Sequence, residues 1–155
     1  IASKPTPILL AALGPRMLKF AGARAAGTTL GQCGPKTIAS YVKPLLEAGA
    51  EAAGRSAPRI MALVRICVTE DREAAKTVAR EISSFYQEIP SYSAVIAKES
   101  LAEPADLHLI GGWQEILDSL AAYAEAGATD FRIQAAAHND KSQDATNQAL
   151  ADYLS

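Results

Sequence analysis

The sequence predicts an α/β fold of four consecutive β-strand/α-helix units, which amounts to half of a (β/α)8 barrel. Short apolar runs alternate with segments of helical spacing along the whole chain. Gly-Pro pairs stand where two of these runs give way to a helix. The chain has 155 residues, whereas a whole barrel needs roughly 200–250 or more. We therefore expect a single half-barrel domain over residues 1–155.

The first unit joins a short strand to a helix. Residues 8–12 form an apolar run, and Gly14-Pro15 follows with a proline suited to the first helical turn. Residues 16–26 then show helical spacing, and Gly27 is a candidate C-cap that ends the helix. The second unit repeats this order within the next stretch of the chain.

In the second unit, a β-branched run at 28–32 precedes Cys33-Gly34-Pro35, which opens a helix reaching about Gly54. Pro44 lies inside the apolar stripe of that helix. Because proline lacks an N–H and clashes with the preceding turn, we expect it to kink or restart the helix.

The third unit is the longest. Residues 59–68 form the strongest strand, whose nearly continuous apolar character predicts burial on both faces of a parallel sheet. Thr69–Asp71 caps a helix that runs to about residue 87. A helical insertion follows at about 90–112, and we interpret its end, 107–112, as a short extended piece or turn rather than a full barrel strand.

The fourth unit closes the chain. A helix at 113–125 precedes the last strand at 129–134, which is followed by a polar loop and a terminal helix at 142–154. Strands that alternate with helices in this way predict parallel pairing through right-handed crossovers.

Composition excludes several classes of function. The net charge is −2, and Lys and Arg are scattered, so the chain lacks the basic patch of a nucleic-acid or membrane-surface binder. Cys33 and Cys67 form no metal-binding spacing, which predicts no metal site and a reduced, cytoplasmic chain. No apolar run reaches membrane-spanning length, and no basic-then-apolar leader opens the chain. The first residue, Ile1, suggests a processed or truncated polypeptide.

Two turns offer the clearest candidate chemistry: Ala11–Pro15 and Gly31–Pro35. Each places small residues where the carboxyl end of a strand meets a helix N-terminus. Backbone N–H groups and the helix dipole favour a phosphate or carboxylate there. A Gly-Pro pair is also simply a good βα turn, which is the favoured interpretation of either turn alone. Two such turns on one face of a sheet leave both interpretations open.

Few other side chains stand out. His138 follows the last strand and suits proton transfer or substrate binding, although an ordinary polar loop position is the favoured interpretation. For His108 we expect a structural role. Cys33 has no His nearby in sequence, so we do not expect a catalytic thiol. Arg65 lies inside the strongest strand and faces either a ligand in the barrel interior or, by default, a helix acid.

Three segments together resemble the luciferase-like monooxygenase superfamily, most closely its branch that uses the deazaflavin coenzyme F-420: PILLAALGPRMLKFAG at 7–22, AGT at 26–28 and GPKT at 34–37. Residues 58–71 and 124–131 fit the same family in the same order, and residues 86–92 fit its helical insertion. The resemblance therefore spans essentially the whole chain.

The resemblance implies that the chain is the C-terminal half of a barrel, strands five to eight, with a flavin or deazaflavin at the carboxyl ends of the strands. It implies that the first turn holds the cofactor phosphate through backbone N–H groups and that the second adds contacts. The implied cofactor-binding residues are Ala12, Leu13, Gly14, Gln32, Cys33 and Gly34. The chain departs from the family at Ala26, where an acid is common, at Leu30–Gln32, where a larger residue is common, and in lacking the N-terminal half.

The leading hypothesis is therefore the C-terminal part of an oxidoreductase that transfers a hydride between F-420, or alternatively FMN, and a small organic substrate. Its catalytic residues are unassigned, and we do not expect a complete site in this chain alone. The alternative is a non-catalytic half-barrel. Because half a barrel leaves two edge strands and an interior face uncovered, we expect a homodimer or pairing with the N-terminal half. A phosphate-binding isomerase or aldolase is least favoured, because no strand-end lysine is present.

Overall fold

The structure is a computed structural model that describes residues 6–155. Its strands, in chain order, are β1 (Leu9–Ala11), β2 (Gly27–Leu30), β3 (Arg59–Val68), β4 (Leu109–Gly111) and β5 (Asp130–Ala135). Its α-helices are α1 (Pro15–Arg24), α2 (Pro35–Thr37), α3 (Lys43–Ala52), α4 (Arg72–Gln87), α5 (Pro90–Glu99), α6 (Trp113–Ala126) and α7 (Asp140–Leu154). A π-helical turn spans Ile38–Val42, and a 3-10 turn spans Pro104–Leu107.

All strand pairs among the described residues are parallel, which confirms the predicted α/β class. The strands of the four predicted units, β1, β2, β3 and β5, lie side by side in that order. Each unit's strand therefore pairs with the strand of the unit before it. In β3, Ile66 pairs with Leu109 of β4 and also with Ala135 of β5. Strand β4 therefore lies on the β2 side of β3, beyond the point where β2 ends.

Strand β4 is the short extended piece expected within residues 107–112, and it joins the sheet. Leu109–Gly111 is a strand of the sheet, so the described chain has five strands rather than four. The reason is the length of β3, which continues past the end of β2 and leaves the backbone of residues 66–68 free to pair. The insertion at about 90–112 accordingly contains α5, a 3-10 turn and this strand, and is only partly helical.

Of two local features predicted from the sequence, one takes a different form in the structure and one is as expected. Gly27 is not a C-cap, because α1 ends at Arg24 and Gly27 is the first residue of β2 with φ of +154°. An added Cβ at Gly27 would overlap the carbonyl oxygen of Arg59, so glycine lets the two strand backbones approach. At Pro44 the helix restarts, as predicted: Lys43 N–H bonds to the carbonyl of Ile38, five residues earlier, just before the proline.

The sheet is covered on one face only. Along β3 the side chains of Ile60, Ala62, Val64 and Ile66 are buried beneath helices, whereas those at 61, 63 and 65 on the opposite face are only half-buried. On that face of β3 only Cys67, near the end of the strand, is buried. The prediction that β3 is buried on both faces is therefore wrong for this chain. We call the uncovered side the inner face, defined by Met61, Leu63 and Arg65 of β3 and Arg132 of β5. Parallel sheets are normally covered on both faces, so this face is incomplete.

Buried side chains from the outer side of the sheet and from the helices form one core cluster. The largest fully buried members are Leu18, Leu30, Ile38, Leu46, Ile66 and Ile116. Helices α1 and α3 are in direct backbone contact, since an added Cβ at Gly22 would overlap the carbonyl oxygen of Leu46. This core fixes the outer side of the sheet and leaves the inner face and the strand ends for other contacts.

Thr146 links α7 to the end of β3, and its removal gives a first test of the fold. Its buried hydroxyl accepts a hydrogen bond from the Val68 N–H at 2.9 Å and donates one to the Ser142 carbonyl at 2.7 Å. Thr146→Val keeps the shape but leaves the Val68 N–H without its acceptor. We expect the free energy of unfolding in urea to fall by about 2 kcal/mol. Thr146→Ser keeps the hydroxyl and should lose only about 1 kcal/mol for the buried methyl, so a larger loss in the serine variant would contradict this account.

Candidate functional site

A cavity of about 420 Å³ opens at the carboxyl ends of β1 and β2 and over the inner face of β3 and β5. Residues from the first Gly-Pro turn, the end of β2, the inner face and the start of the insertion line it: Ala11, Ala12, Leu13, Gly14, Met17, Thr29, Leu30, Gly31, Gln32, Leu63, Arg65, Tyr86, Ser91, Tyr92 and Arg132. This is the edge of the sheet where a parallel α/β fold places its ligands.

The first turn presents unused backbone donors to this cavity. Gly14 is the N-cap of α1, has no side chain to cap the helix, and no acid occurs in the first helical turn. The amide groups at a helix start have no partner within the helix, and the dipole makes this end positive. The turn is held from behind by Tyr41, whose hydroxyl donates to the Leu13 carbonyl at 3.1 Å. The geometry therefore suits an anion.

At the end of β2, Gln32 combines burial with a strained backbone. Its side chain is 4% exposed and its φ is +57°, in the left-handed region that non-glycine residues rarely adopt. The Oε1 atom is buried and has no hydrogen-bond partner among the described residues. A buried acceptor left unpaired costs about 1–3 kcal/mol. Strain and an unpaired polar atom in one residue beside a cavity are typical of ligand sites.

The second Gly-Pro turn differs from the first. The carboxylate of Glu99, from the end of α5, accepts hydrogen bonds from the N–H groups of Lys36 at 3.0 Å and Thr37 at 2.9 Å. An added Cβ at Gly34 would overlap this carboxylate. The helix start that follows Gly34 is thus occupied by an anion of the chain itself, which stabilises it in the way a bound phosphate would.

Cys33 lies behind the cavity rather than in its wall. It is 3% exposed, and burial, with a smaller contribution from the Glu99 charge, raises the pKa of its thiol to about 12. The thiol is therefore protonated at neutral pH, in keeping with the expectation that it is not catalytic. Of the six residues predicted for the cofactor, Ala12, Leu13, Gly14 and Gln32 share one cavity, while Cys33 and Gly34 pack behind it.

The structure adds residues that the sequence analysis did not assign to the site. Arg65 points from the inner face into the cavity, where its Nη2 donates to the Tyr86 hydroxyl at 3.0 Å and its guanidinium carbon lies 5.5 Å from the centre of the Tyr86 ring. The default expectation of an acid partner is wrong, because no ion pair between described residues includes Arg65. Tyr92 packs edge-to-face on Tyr86 at 4.9 Å. The available signal was a single arginine inside each of two strands, Arg65 in β3 and Arg132 in β5.

The two histidines lie outside this cavity. His138 Nε2 is 3.0 Å from Thr69 Oγ1 at a separate cavity of about 880 Å³, where the ends of β3, β4 and β5 meet. His108 is 7% exposed and contacts the Ser83 hydroxyl through Nε2 at 3.1 Å. Burial, and then the nearby charge of Arg65, lower the pKa of His108 to about 4. It is neutral at pH 7 and structural, as expected.

Within residues 6–155, no group of three or more His, Cys, Asp or Glu side chains is arranged to hold a metal ion. None of the helices in this range has both the length and the apolar character needed to cross a membrane.

The chain matches known proteins over most of its length. The sequence profile described as luciferase-like monooxygenase matches residues 1–130. A solved F-420-dependent secondary alcohol dehydrogenase, in complex with an F-420–acetone adduct, superposes with a TM-score of 0.71 at 16% identity, over 90% of this chain and 46% of that chain.

Two other solved structures are similar. The coenzyme F-420-dependent tetrahydromethanopterin reductase from Methanopyrus kandleri gives a TM-score of 0.59 at 22% identity, over 83% of this chain and 44% of that chain. Apo-MsnO8 gives a TM-score of 0.59 at 15% identity, over 99% and 52%. At these identities the likeness shows a shared fold. The chain spans about half the length of each of the three.

Proposed function

The chain belongs to the luciferase-like monooxygenase family, and from this premise we propose that it is the C-terminal half, strands five to eight, of a (β/α)8-barrel oxidoreductase. Strand β4 is then a part of the insertion rather than a barrel strand. The proposed reaction is hydride transfer between F-420 and a small organic substrate, with FMN as the alternative cofactor. The observation that carries the proposal is the cavity that joins the uncapped turn at Ala12–Gly14 to the strained residue Gln32 at the carboxyl ends of the strands.

The residues present fit the phosphate of such a cofactor. The amide groups that follow Gly14 have no competing side chain, and a Cβ at Gly14 would meet no protein atom within 4 Å. The backbone is thus open to close approach by a ligand. The unpaired Oε1 of Gln32 is able to accept a hydrogen bond from a ligand hydroxyl. In this proposal Cys33 and Gly34 act from behind, by packing the second turn in place.

The bound cofactor would supply a ring that exchanges a hydride with the substrate. The chain's own contribution is binding, orientation and exclusion of water. Tyr86 and Tyr92 stand over the cavity from the start of the insertion and shield one side from solvent. The remaining walls of the ring pocket belong to the proposed N-terminal half, which would also cover the inner face. No catalytic residue is assigned within this chain.

The open surfaces support pairing with that other half. Exposed apolar side chains lie near the β1 edge, where Ile8 is 65% exposed and Phe20 on α1 is 51% exposed. An edge strand beside such a patch is prone to pair. A homodimer in which a second copy takes this place is the other arrangement, and it would serve the non-catalytic alternative.

Two free cysteines, both buried, support the proposed cytoplasmic location.

Gly14→Ala tests the proposed phosphate contact. The methyl group fits the protein but would stand where an anion meets the amides of the turn. We expect F-420 affinity, measured by fluorescence titration of a polypeptide containing both halves, to fall about tenfold, the equivalent of about 1.4 kcal/mol. Gly112→Ala, a matched change at the N-cap of α6, lies outside this cavity and should leave the affinity unchanged.

The same titration decides the function as a whole. Absence of any binding of F-420 or FMN to the parent polypeptide would remove the oxidoreductase proposal and favour the non-catalytic half-barrel. If the Gly14→Ala and Gly112→Ala variants lose F-420 affinity equally, the chain still has a cofactor site, but the first turn does not bind the phosphate. Tighter binding of FMN than of F-420 would identify the alternative cofactor.

A further inference from the structure

The cavity of the proposed site carries positive charge with no counter-charge. Its charged lining residues are Arg65 and Arg132, and no Asp or Glu of the described chain lines it. The chain as a whole has a net charge of −2. The cavity where the ends of β3, β4 and β5 meet, by contrast, mixes both signs, with Glu70, Asp71 and Glu115 beside Arg72 and Lys141. A cavity between α1 and α3 is also lined by two arginines and no acid, so positive charge alone does not distinguish the proposed site. What distinguishes it is that its arginines extend from the inner face beside the first turn.

The two arginines belong to neighbouring strands and the same face. Strands β3 and β5 pair in parallel with Leu63 opposite Arg132, and Leu63 and Arg65 occupy alternate positions of β3. Both side chains therefore extend from the inner face, and they are offset by two residues along the strand direction. The contact with Tyr86 holds the Arg65 fork in one orientation and occupies only Nη2 of its donors.

Neither arginine has an acidic partner in the part of the chain that the structure describes. Arg132 is now exposed on the open inner face, and Arg65 is half-buried. A covered barrel interior would remove both from water, which is costly for a charge unless an anion pairs with it. The planar fork of arginine matches the two oxygens of a carboxylate particularly well.

We propose that Arg65 and Arg132 bind a carboxylate group of the organic substrate, so that the enzyme acts on an organic acid rather than on a neutral molecule. This inference rests on the proposed function and adds a substrate class to it. The arginines form a subsite separate from the phosphate subsite. The first turn follows β1, and β3 lies two strands away, which at about 4.8 Å per strand places the Arg65 backbone about 10 Å from it.

A pair of probes of equal shape tests the subsite. Butyrate and butyramide differ in charge but hardly in size, and each is titrated into the 155-residue chain while amide shifts are followed by NMR. We expect butyrate to bind at least tenfold more tightly. Arg65→Gln and Arg132→Gln should each weaken butyrate about tenfold, as expected for a hydrogen bond to a charged group, and leave butyramide unchanged. Arg24→Gln is the matched control: this exposed arginine lines the cavity between α1 and α3 instead, and its loss should leave the butyrate affinity unchanged.

Further variants separate this inference from loss of folding and from the proposed function. Arg65→Lys keeps the charge without the fork and should recover part of the butyrate affinity lost in Arg65→Gln. Butyrate binding no tighter than butyramide, or undiminished in the double glutamine variant, would overturn the proposal. Parallel loss of F-420 binding in the two-half polypeptide would also overturn it, because the arginines would then serve the cofactor. Selective butyrate binding without any cofactor binding would count against the proposed function alone.

Discussion

Gly22→Ala is expected to lower the free energy of unfolding by about 3 kcal/mol, although alanine is the better helix former. Helix propensity alone would favour alanine by about 1 kcal/mol. Gly22, however, faces the backbone of α3, and an added Cβ would overlap the Leu46 carbonyl oxygen and lie 3.0 Å from the Ala50 nitrogen. Backbone atoms cannot rotate away, so the two helices must separate. Overpacking typically costs 1–3 kcal/mol and occasionally more. Because the overlap here is with backbone atoms, we expect a cost of about 4 kcal/mol, which the gain in propensity of about 1 kcal/mol reduces to a net loss of about 3 kcal/mol.

Two further variants make this prediction specific. Gly14→Ala introduces the same methyl group where no protein atom lies within 4 Å and should cost about 1 kcal/mol at most, as an N-cap change. Gly49 makes the reciprocal contact, because its Cβ would overlap the Lys19 carbonyl oxygen. Since one separation of α1 from α3 relieves both overlaps, the Gly22→Ala and Gly49→Ala costs should be less than additive. Urea unfolding measures all of these, and a Gly22→Ala variant as stable as the parent would show that the helices are not in backbone contact.

Acidification from pH 7 to pH 4 is expected to destabilise the chain through His108 by about 3 kcal/mol. The pKa of His108 falls from its ordinary 6.5 to about 4 because of burial and, secondarily, the charge of Arg65. A histidine with a depressed folded-state pKa binds its proton more readily when unfolded. Its stabilising contribution is therefore complete above pH 6.5 and is lost as the pH falls towards 4. A shift of this size corresponds to ~3 kcal/mol at 1.36 kcal/mol per pH unit.

The measurement is urea unfolding at a series of pH values from 7.5 to 4. His108→Gln should flatten the dependence between pH 7.5 and pH 5. His138→Gln is the matched control, since it removes the second of the chain's two histidines, and it should keep the full dependence. The carboxyl of Asp130, whose pKa is lowered to about 2 mainly by its hydrogen bond from Arg59, binds its proton more readily when unfolded, so it adds to the pH dependence below about pH 5. The contribution of His108 is therefore compared between pH 7.5 and pH 5. A pH dependence that survives in His108→Gln would assign it to another group.

Local patterns in the sequence were enough to predict much of the chain. The order of the strands and helices, the Gly-Pro helix starts and the restart at Pro44 all follow from interactions within a few residues along the chain. The resemblance to luciferase-like monooxygenases was carried mainly by the run at 7–22, and the family is confirmed by the match over residues 1–130. The first turn and Gln32 were also predicted to belong to one site, and they line one cavity.

The environment of the site was decided by the tertiary structure. Glu99 bonds to the Thr37 amide from 62 residues away, which separates the two turns that look alike in sequence. Arg65 meets Tyr86 rather than an acid, and the strand that carries it is buried on only one face. Hydrophobic periodicity and helix capping depend on residues that are close in sequence, so they are readable from the sequence. The partner of a carboxylate or guanidinium group depends instead on which distant elements pack together. The sequence by itself thus determined the four strand–helix units, the family and the turn for which anion binding is proposed. Packing alone decided that the second turn is already filled and that two arginines share the open face without a counter-charge.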